Sequence, residues 1–231
     1  PPRESACNCG GIKIMPTSKS RLAGLLEIFF KFLYHQFSWG YDFVAYIVSV
    51  GLWKDWIRAI LPKIKGSKIL EIGHGPGHLQ VELFTDSKEI FGLDLSPQMG
   101  RMAFRKIEKS GNKPKLINGN TDTLPFPPNS FNTIAATFPT NYIKSPKVIG
   151  EIYRALKTGG EFVFIPVASL TGKSFLYNLA TILFNITGQS SRIDKTSFSE
   201  LISEYQKIGF AVKTEILELR NSQVLLFHCQ K

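Results

Sequence analysis

The run Lys68-Ile-Leu-Glu-Ile-Gly-His-Gly-Pro-Gly-His-Leu79 sets three alternating glycines directly after a short apolar segment. Ile69, Leu70 and Ile72 read as a buried parallel strand, and the residues after Gly77 read as the start of a helix. Gly73, Gly75 and Gly77 can take up the backbone angles of a tight turn, and they carry no side chain that would hold a ligand away from the main chain. Their spacing separates ligand classes. The dinucleotide fingerprint G-x-G-x-x-G requires its third glycine where this chain has His78, and the third glycine is instead Gly77. A turn of this kind suits a ligand with no pyrophosphate at the helix N-terminus.

A carboxylate follows one strand later. Glu89-Ile-Phe-Gly-Leu-Asp94 is again apolar and ends in an acid, and Ser96-Pro97 then offers an N-cap with proline at the first helical position. An acid at a strand tip, about 20 residues beyond a glycine loop, is placed to accept hydrogen bonds from two ribose hydroxyls. That geometry serves NAD and S-adenosylmethionine equally, so the glycine spacing makes the choice between them.

These residues resemble the class I S-adenosylmethionine-dependent methyltransferases, and Tyr41-Asp42 through Trp53-Lys-Asp-Trp56 resembles the N-terminal segment of the ubiquinone and menaquinone biosynthesis methylases among them. Glu71-Ile-Gly-His-Gly-Pro-Gly77 is similar to the first motif of that family and Gly92-Leu-Asp-Leu-Ser-Pro-Gln-Met99 to its second-strand motif. Gly119-Asn-Thr-Asp-Thr-Leu-Pro-Phe126, continuing through Asn129-Ser-Phe-Asn132, is similar to the segment that wraps adenine. Glu151-Ile-Tyr-Arg-Ala-Leu-Lys-Thr-Gly-Gly-Glu161 is similar to the helix and turn before the fifth strand. The resemblance implies a Rossmann-like, doubly wound α/β fold with helices on both faces. Its seven strands would run in the order 3-2-1-4-5-7-6, the last antiparallel. It further implies that Glu71, Gly73, Gly75 and Gly77 hold the methionine part of S-adenosyl-L-methionine and Asp94 the ribose. Leu95, Asn120, Thr121 and Asp122 would hold the adenine. Thr137 would complete the cofactor set, and Phe138 and Tyr142 would border the acceptor.

The chain departs from the family at Asn120 and Asn132, where acids are common; an amide oxygen still accepts from an exocyclic amine, and Asp122 lies close by. The Asn/Asp-Pro-Pro-Tyr/Phe motif of amino-directed nucleic acid methylases is replaced by Thr137-Phe-Pro-Thr-Asn-Tyr142. The expected acceptor is therefore a small or lipid-like molecule and not a nucleic acid. Two other classes compete. A nicotinamide-dependent oxidoreductase is disfavoured by His78, and a catalytically silent cofactor-binding domain serving a partner has Asn120 and Asn132 as its hints.

The elements that must position these groups alternate in type. Strands are expected near 68–72, 89–94, 114–118, 131–137 and 160–166, with helices at 97–109 and 146–156 between them, which makes a parallel sheet. Phe210–Leu217 and Gln223–Cys229 flank an Arg220-Asn-Ser turn and read as a closing hairpin. Residues 1–20, rich in Pro, Gly, Ser and Lys, read as a flexible tail in which Met15 is a candidate start. Residues 21–231 then form one domain, with a helical cover at 22–56 and an insertion at 167–197 after the fifth strand. In that insertion Phe175, Leu179, Ile182, Leu183 and Ile186 share a helical face. The two apolar segments are expected to act as a mobile cover over a hydrophobic acceptor. His35 is the one candidate base. His74 and His78 are expected to face solvent or cap a helix, and His228 to be packed.

Composition narrows the setting. With 43% hydrophobic and 20% charged residues, the body of the chain can bury a core. Three cysteines, two of them in Cys7-Asn-Cys9, form neither a disulfide framework nor a metal ligand set, which fits a reducing, cytoplasmic setting. Leu22–Leu52 is apolar but broken by Glu27, Lys31, His35, Gln36 and Asp42, so no uninterrupted span of about 20 residues exists. The net charge is +10, and through residue 70 there are 10 Lys or Arg against 4 Asp or Glu. Such a bias favours anionic partners, a peripheral membrane surface among them.

Overall fold

The computed structural model describes residues 49, 51–84, 88–171 and 198–231. The tail, His35, most of the 22–56 cover, the Cys7-Asn-Cys9 pair and the helical face at 175–186 lie outside those residues. Seven strands form one sheet: β1 (Lys68–Ile72), β2 (Glu89–Asp94), β3 (Leu116–Asn118), β4 (Phe131–Thr137), β5 (Leu156–Leu170), β6 (Ala211–Leu219) and β7 (Ser222–Gln230). Their order is β3-β2-β1-β4-β5-β7-β6. The first five strands pair in parallel, and β7 is antiparallel to both β5 and β6. The order expected from the motifs is thus the observed one.

Helices α1 (Trp53–Arg58), α2 (His78–Leu83), α3 (Pro97–Lys109), α4 (Pro146–Ala155) and α5 (Ser199–Ile208) flank the sheet. Period-two alternation in the strands divides the buried residues between the two faces. Ile69, Ile90, Val163 and Ile165 pack with Trp56, Ile57, Leu79 and Leu83 of α1 and α2. Leu70, Ile72, Ile134 and Phe164 pack with Val148, Ile149 and Ile152 of α4 and Leu201 and Tyr205 of α5. Strand direction of progress reverses between β1 and β4, so the loops leaving these strands open a crevice at their carboxyl ends.

Several boundaries differ from the sequence expectation, each for a backbone reason. β3 begins at Leu116, after Pro114, which has no N–H for a ladder. β5 runs on to Leu170, so residues 167–170 belong to the strand and not to the insertion. Its register against β7 shifts between Phe164 and Val167, where Pro166 interrupts the ladder, and pairing then resumes from Val167↔Leu225 to Leu170↔Ser222. The end of the 22–56 segment is packed and does not stand off the fold. Trp56 is 1% exposed, and its indole N–H donates to Ser222 Oγ at 3.0 Å. Among the described residues, no helix is long and apolar enough to cross a membrane.

The turn into α2 fixes where the glycine loop sits. Gly77 is the N-cap with φ 82°, and a Cβ there would lie 2.8 Å from the Ala103 Cβ on α3. Left-handed backbone and a close helix approach therefore both demand glycine. Gly77→Ala is expected to lower stability by about 2–4 kcal/mol. Urea unfolding measures this, and an unchanged midpoint would show that α2 and α3 do not meet as described.

Candidate functional site

Three groups of residues meet at the carboxyl ends of β1 to β4. The first is the glycine loop. Gly73, Gly75 and Gly77 all have positive φ, at 67°, 52° and 82°. A Cβ on Gly73 would lie 2.6 Å from the Tyr142 hydroxyl, whereas a Cβ on Gly75 would meet nothing within 4 Å. Gly75 thus presents bare main chain to open space. Below the loop Glu71 is 1% exposed and accepts a hydrogen bond from Gln80 Nε2 at 2.8 Å. Burial pushes its carboxyl up to about 8, the Gln80 bond opposes this, and the charge of Asp94 adds to the rise. At neutral pH Glu71 is mostly protonated.

The second group is the tip of β2. Asp94 Oδ2 accepts from Gly75 N–H and Oδ1 from Ser96 N–H, each at 2.8 Å. Ser96 in turn caps α3, its hydroxyl accepting from Met99 N–H at 3.3 Å, with Pro97 at the first helical position as the sequence indicated. Asn118 Nδ2 donates to the carbonyls of Asp94 and Leu95 at 3.0 and 2.9 Å, which fixes the turn. Leu95 then stands 71% exposed, a large apolar side chain at the rim beside a carboxylate.

The third group is formed by the loops after β3 and β4. Asn120 Oδ1 accepts from Asp122 N–H at 3.0 Å, closing a small turn that leaves Thr121 buried. This turn is held from behind. Leu124 N–H donates to Glu151 Oε2 at 2.8 Å, and Arg154 donates to the Leu124 and Phe126 carbonyls at 3.1 and 2.8 Å while pairing with Glu151 at 2.7 Å. After β4, Phe138 has φ 51°, a left-handed conformation rare for an aromatic residue, and its ring stacks on Trp53 at 4.7 Å between centroids. Tyr142 donates its hydroxyl to the Ile72 carbonyl at 3.2 Å, and burial raises its pKa.

Glu71, the three glycines, Asp94, Leu95, Asn120, Thr121, Asp122, Thr137, Phe138 and Tyr142 thus all stand at the same end of the sheet. His74 departs from its expectation. It is 3% exposed, its Nδ1 lies 2.7 Å from the Gly75 carbonyl, and burial lowers its pKa. Its ring fills the space above Gly92, where β2 has no side chain. His78 is half-buried against Lys106 Nζ at 3.2 Å, and the N-cap is Gly77 instead. His228 is half-buried with Nε2 3.0 Å from Glu161. Asn132 lies at the opposite end of β4, where its side-chain oxygen accepts from Lys68 N–H, so it takes no part in the site. Among the described residues no group of three or more His, Cys, Asp or Glu could hold a metal ion. Sequence reasoning missed Gln80 and the Glu151–Arg154 clamp. The clamp's signal was an opposite-charge i,i+3 pair directly before the Gly159-Gly160 turn.

A model of the ubiE/COQ5 methyltransferase family matches residues 25–199. The chain belongs to that family. A demethylmenaquinone methyltransferase from Symbiobacterium thermophilum is 30% identical over 147 residues, covering 59% of this chain and 58% of that protein. A phosphatidylethanolamine N-methyltransferase from Cereibacter sphaeroides is 32% identical over 104 residues, 44% of this chain and 51% of that one. The chain therefore spans little more than half the length of either relative. A solved structure from Methanococcus maripaludis, described as a candidate S-adenosyl-L-methionine-dependent methyltransferase, shares the fold with a TM-score of 0.60 at 18% identity. That alignment covers 82% of this chain and 90% of the other.

Burial of Glu71 gives a measurable pH dependence. Its folded pKa of about 8 lies above the ordinary carboxyl value of 4.5, so between these values the folded state holds a proton that the unfolded chain releases. Stability contributed by the neutral form is complete below the unfolded pKa and is lost progressively as pH rises toward the folded pKa. Glu71→Gln removes this slope. In thermal melts without ligand, the variant is expected to gain on the parent between pH 5 and pH 8.5 by a few kcal/mol, at about 1.4 per pKa unit. Parallel curves for the two proteins would show that Glu71 is not buried as the acid.

Proposed function

We propose that this chain binds S-adenosyl-L-methionine and catalyses methyl transfer to a small or lipid-like acceptor. One observation carries the reading: Gly75 offers uncovered main chain at φ 52° and is tied directly to the Asp94 carboxylate. A nucleoside laid on that cradle finds an acceptor for its ribose hydroxyls in Asp94, whose two bonded oxygens retain lone pairs. Leu95 supplies an exposed apolar surface for an adenine face, and the Asn120–Asp122 turn supplies side-chain oxygens for its edge. Glu71 is a buried acid beneath the loop, and the ammonium of a methionine moiety would favour its charged form. The residues present therefore fit the cofactor.

When bound, the cofactor supplies a sulfonium methyl whose leaving group, a thioether, needs no proton. The chain's task is to hold cofactor and acceptor in line and keep water out. Phe138 and Tyr142 stand where the loop after β4 borders the cradle, which suits an acceptor wall. Quinone-precursor and phospholipid methylation by the named relatives supports an apolar or lipid-like acceptor. The nicotinamide reading has no comparable support, because the loop lacks the spacing for a pyrophosphate.

Calorimetry with S-adenosylmethionine and with NAD tests the cofactor. Saturable binding of the former and none of the latter is expected. Asp94→Ala should weaken the cofactor on the order of tenfold or more through loss of a charge-assisted bond. An unchanged affinity would remove Asp94 from the site. Transfer of labelled methyl groups into a lipid extract and into total RNA tests the acceptor, and label appearing in RNA alone would reverse the assignment.

A further inference from the structure

A groove of about 350 Å³ runs between α3 and the β2–β3 edge of the sheet, and it adjoins the nucleoside cradle at Asp94, Ser96 and Asn118. Its inner end reaches His74 and Asp94, and its outer wall is formed by Arg101, Phe104 and Arg105, one face of α3 at i, i+3 and i+4. Leu116 lines the opposite side. Four features of this groove are not explained by packing within the protein.

Arg101 and Arg105 are exposed like charges one helical turn apart, and neither has a hydrogen-bond or ion-pair partner among the described residues. Such a pair is unfavourable for the helix unless an anion sits between the two groups. Phe104, between them, is 45% exposed. Gly100 lies inside α3 with an ordinary helical φ, and a Cβ on it would meet nothing within 4 Å. A helix-interior glycine with no close neighbour weakens the helix for no gain in contacts, yet it keeps the groove open. Lastly, His74 is 3% exposed, and its Nε2 has no partner. Because Nδ1 faces the Gly75 carbonyl and must donate, Nε2 is a buried lone pair in need of a donor.

We propose that the outer part of the α3 groove, beyond the Asp94 end that it shares with the nucleoside cradle, is a second ligand site that seats a phosphate group carried on an apolar body. Arg101 and Arg105 bind the phosphate, Phe104 and Leu116 contact the apolar part, and a headgroup hydroxyl or an ordered water donates to His74. Asp94 sets one carboxylate at the inner end against two guanidinium groups at the outer wall, so the charged lining favours a phosphate seated outward, beside the arginines. An amphiphile with a phosphodiester and a hydroxylated headgroup provides all three kinds of contact.

The test uses dihexanoyl phosphatidylglycerol below its micelle concentration, titrated into the chain by calorimetry, with inorganic phosphate as the second arm. Saturable binding of the lipid is expected, with inorganic phosphate at least about tenfold weaker because it brings no apolar contact. Arg101→Gln with Arg105→Gln should weaken the lipid by about tenfold or more. Gly100→Leu should block it while leaving the thermal midpoint unchanged or raised. S-adenosylmethionine affinity, measured on the same samples, should stay the same in both variants, which separates this site from the cofactor cradle. The proposal is overturned by absence of saturable lipid binding, by equal binding in the parent and the double arginine variant, or by equal affinities for lipid and inorganic phosphate.

Discussion

A single carboxylate organises the site. Asp94 accepts one backbone N–H from the glycine loop and one from the start of α3, so one side chain ties the glycine loop to the turn between β2 and α3. The arrangement works only because Gly75 can hold φ 52°, which turns its N–H toward β2 and leaves its other side bare. Hydrogen bonds to a charged acceptor are stronger than neutral ones, and a site partly shielded from water strengthens them further. The same charge acts on its neighbours. It favours the neutral forms of Glu71 and Tyr142 and the charged form of His74, while burial acts first on all three and favours their neutral forms. The cradle therefore holds one committed carboxylate surrounded by groups kept uncharged.

A second tier of contacts sets the walls. Glu151 and Arg154 stand on α4, whose apolar face is locked into the core by Val148, Ile149 and Ile152, and from there they bind the backbone of the 124–126 segment. The Asn120–Asp122 turn is thus positioned by a helix and not by its own short-range contacts alone. On the other side, Phe138 is pressed between the Ile165 carbonyl, which accepts its N–H at 2.8 Å, and the Trp53 ring. Trp56, one turn along α1, is anchored to Ser222 at the start of β7. The unusual backbone of Phe138 is consequently held by contacts with β5 and α1, which is how a left-handed aromatic residue persists at a strand end.

The strands, their order and the cradle were legible because each rests on local chemistry: glycine for positive φ, an acid at a strand tip, and serine with proline at a helix start. Those choices depend on residues within a few positions of one another. What was not legible depends on contacts across the fold. Burial of His74 requires the absence of a side chain at Gly92 and the neighbouring Leu116 on β3, neither of which is visible from the glycine loop itself. Asn132 resembles a site residue by its place in a motif, yet strand direction puts it at the far end of β4. The length of β5 is set by β7, which pairs with it beyond the bulge at Pro166, and apolar pattern alone gave no reason to extend it.

The protonation pattern bears on the chemistry more than any one residue does. Glu71 and His74, both buried, and the half-buried Tyr142 are titratable groups beside the cradle, and each is shifted toward its neutral form with a partner already assigned to one of its polar atoms. Glu71 and Tyr142 hold bonds that support the loop, and His74 holds one through Nδ1 while its Nε2 stays a buried lone pair. A reaction whose leaving group departs without a proton can run in such a site, because it asks for alignment and exclusion of water and not for acid–base exchange. Among the described residues, the bonds of Glu71, Tyr142 and His74 Nδ1 serve first to hold the glycine loop against the ends of β1 and β2.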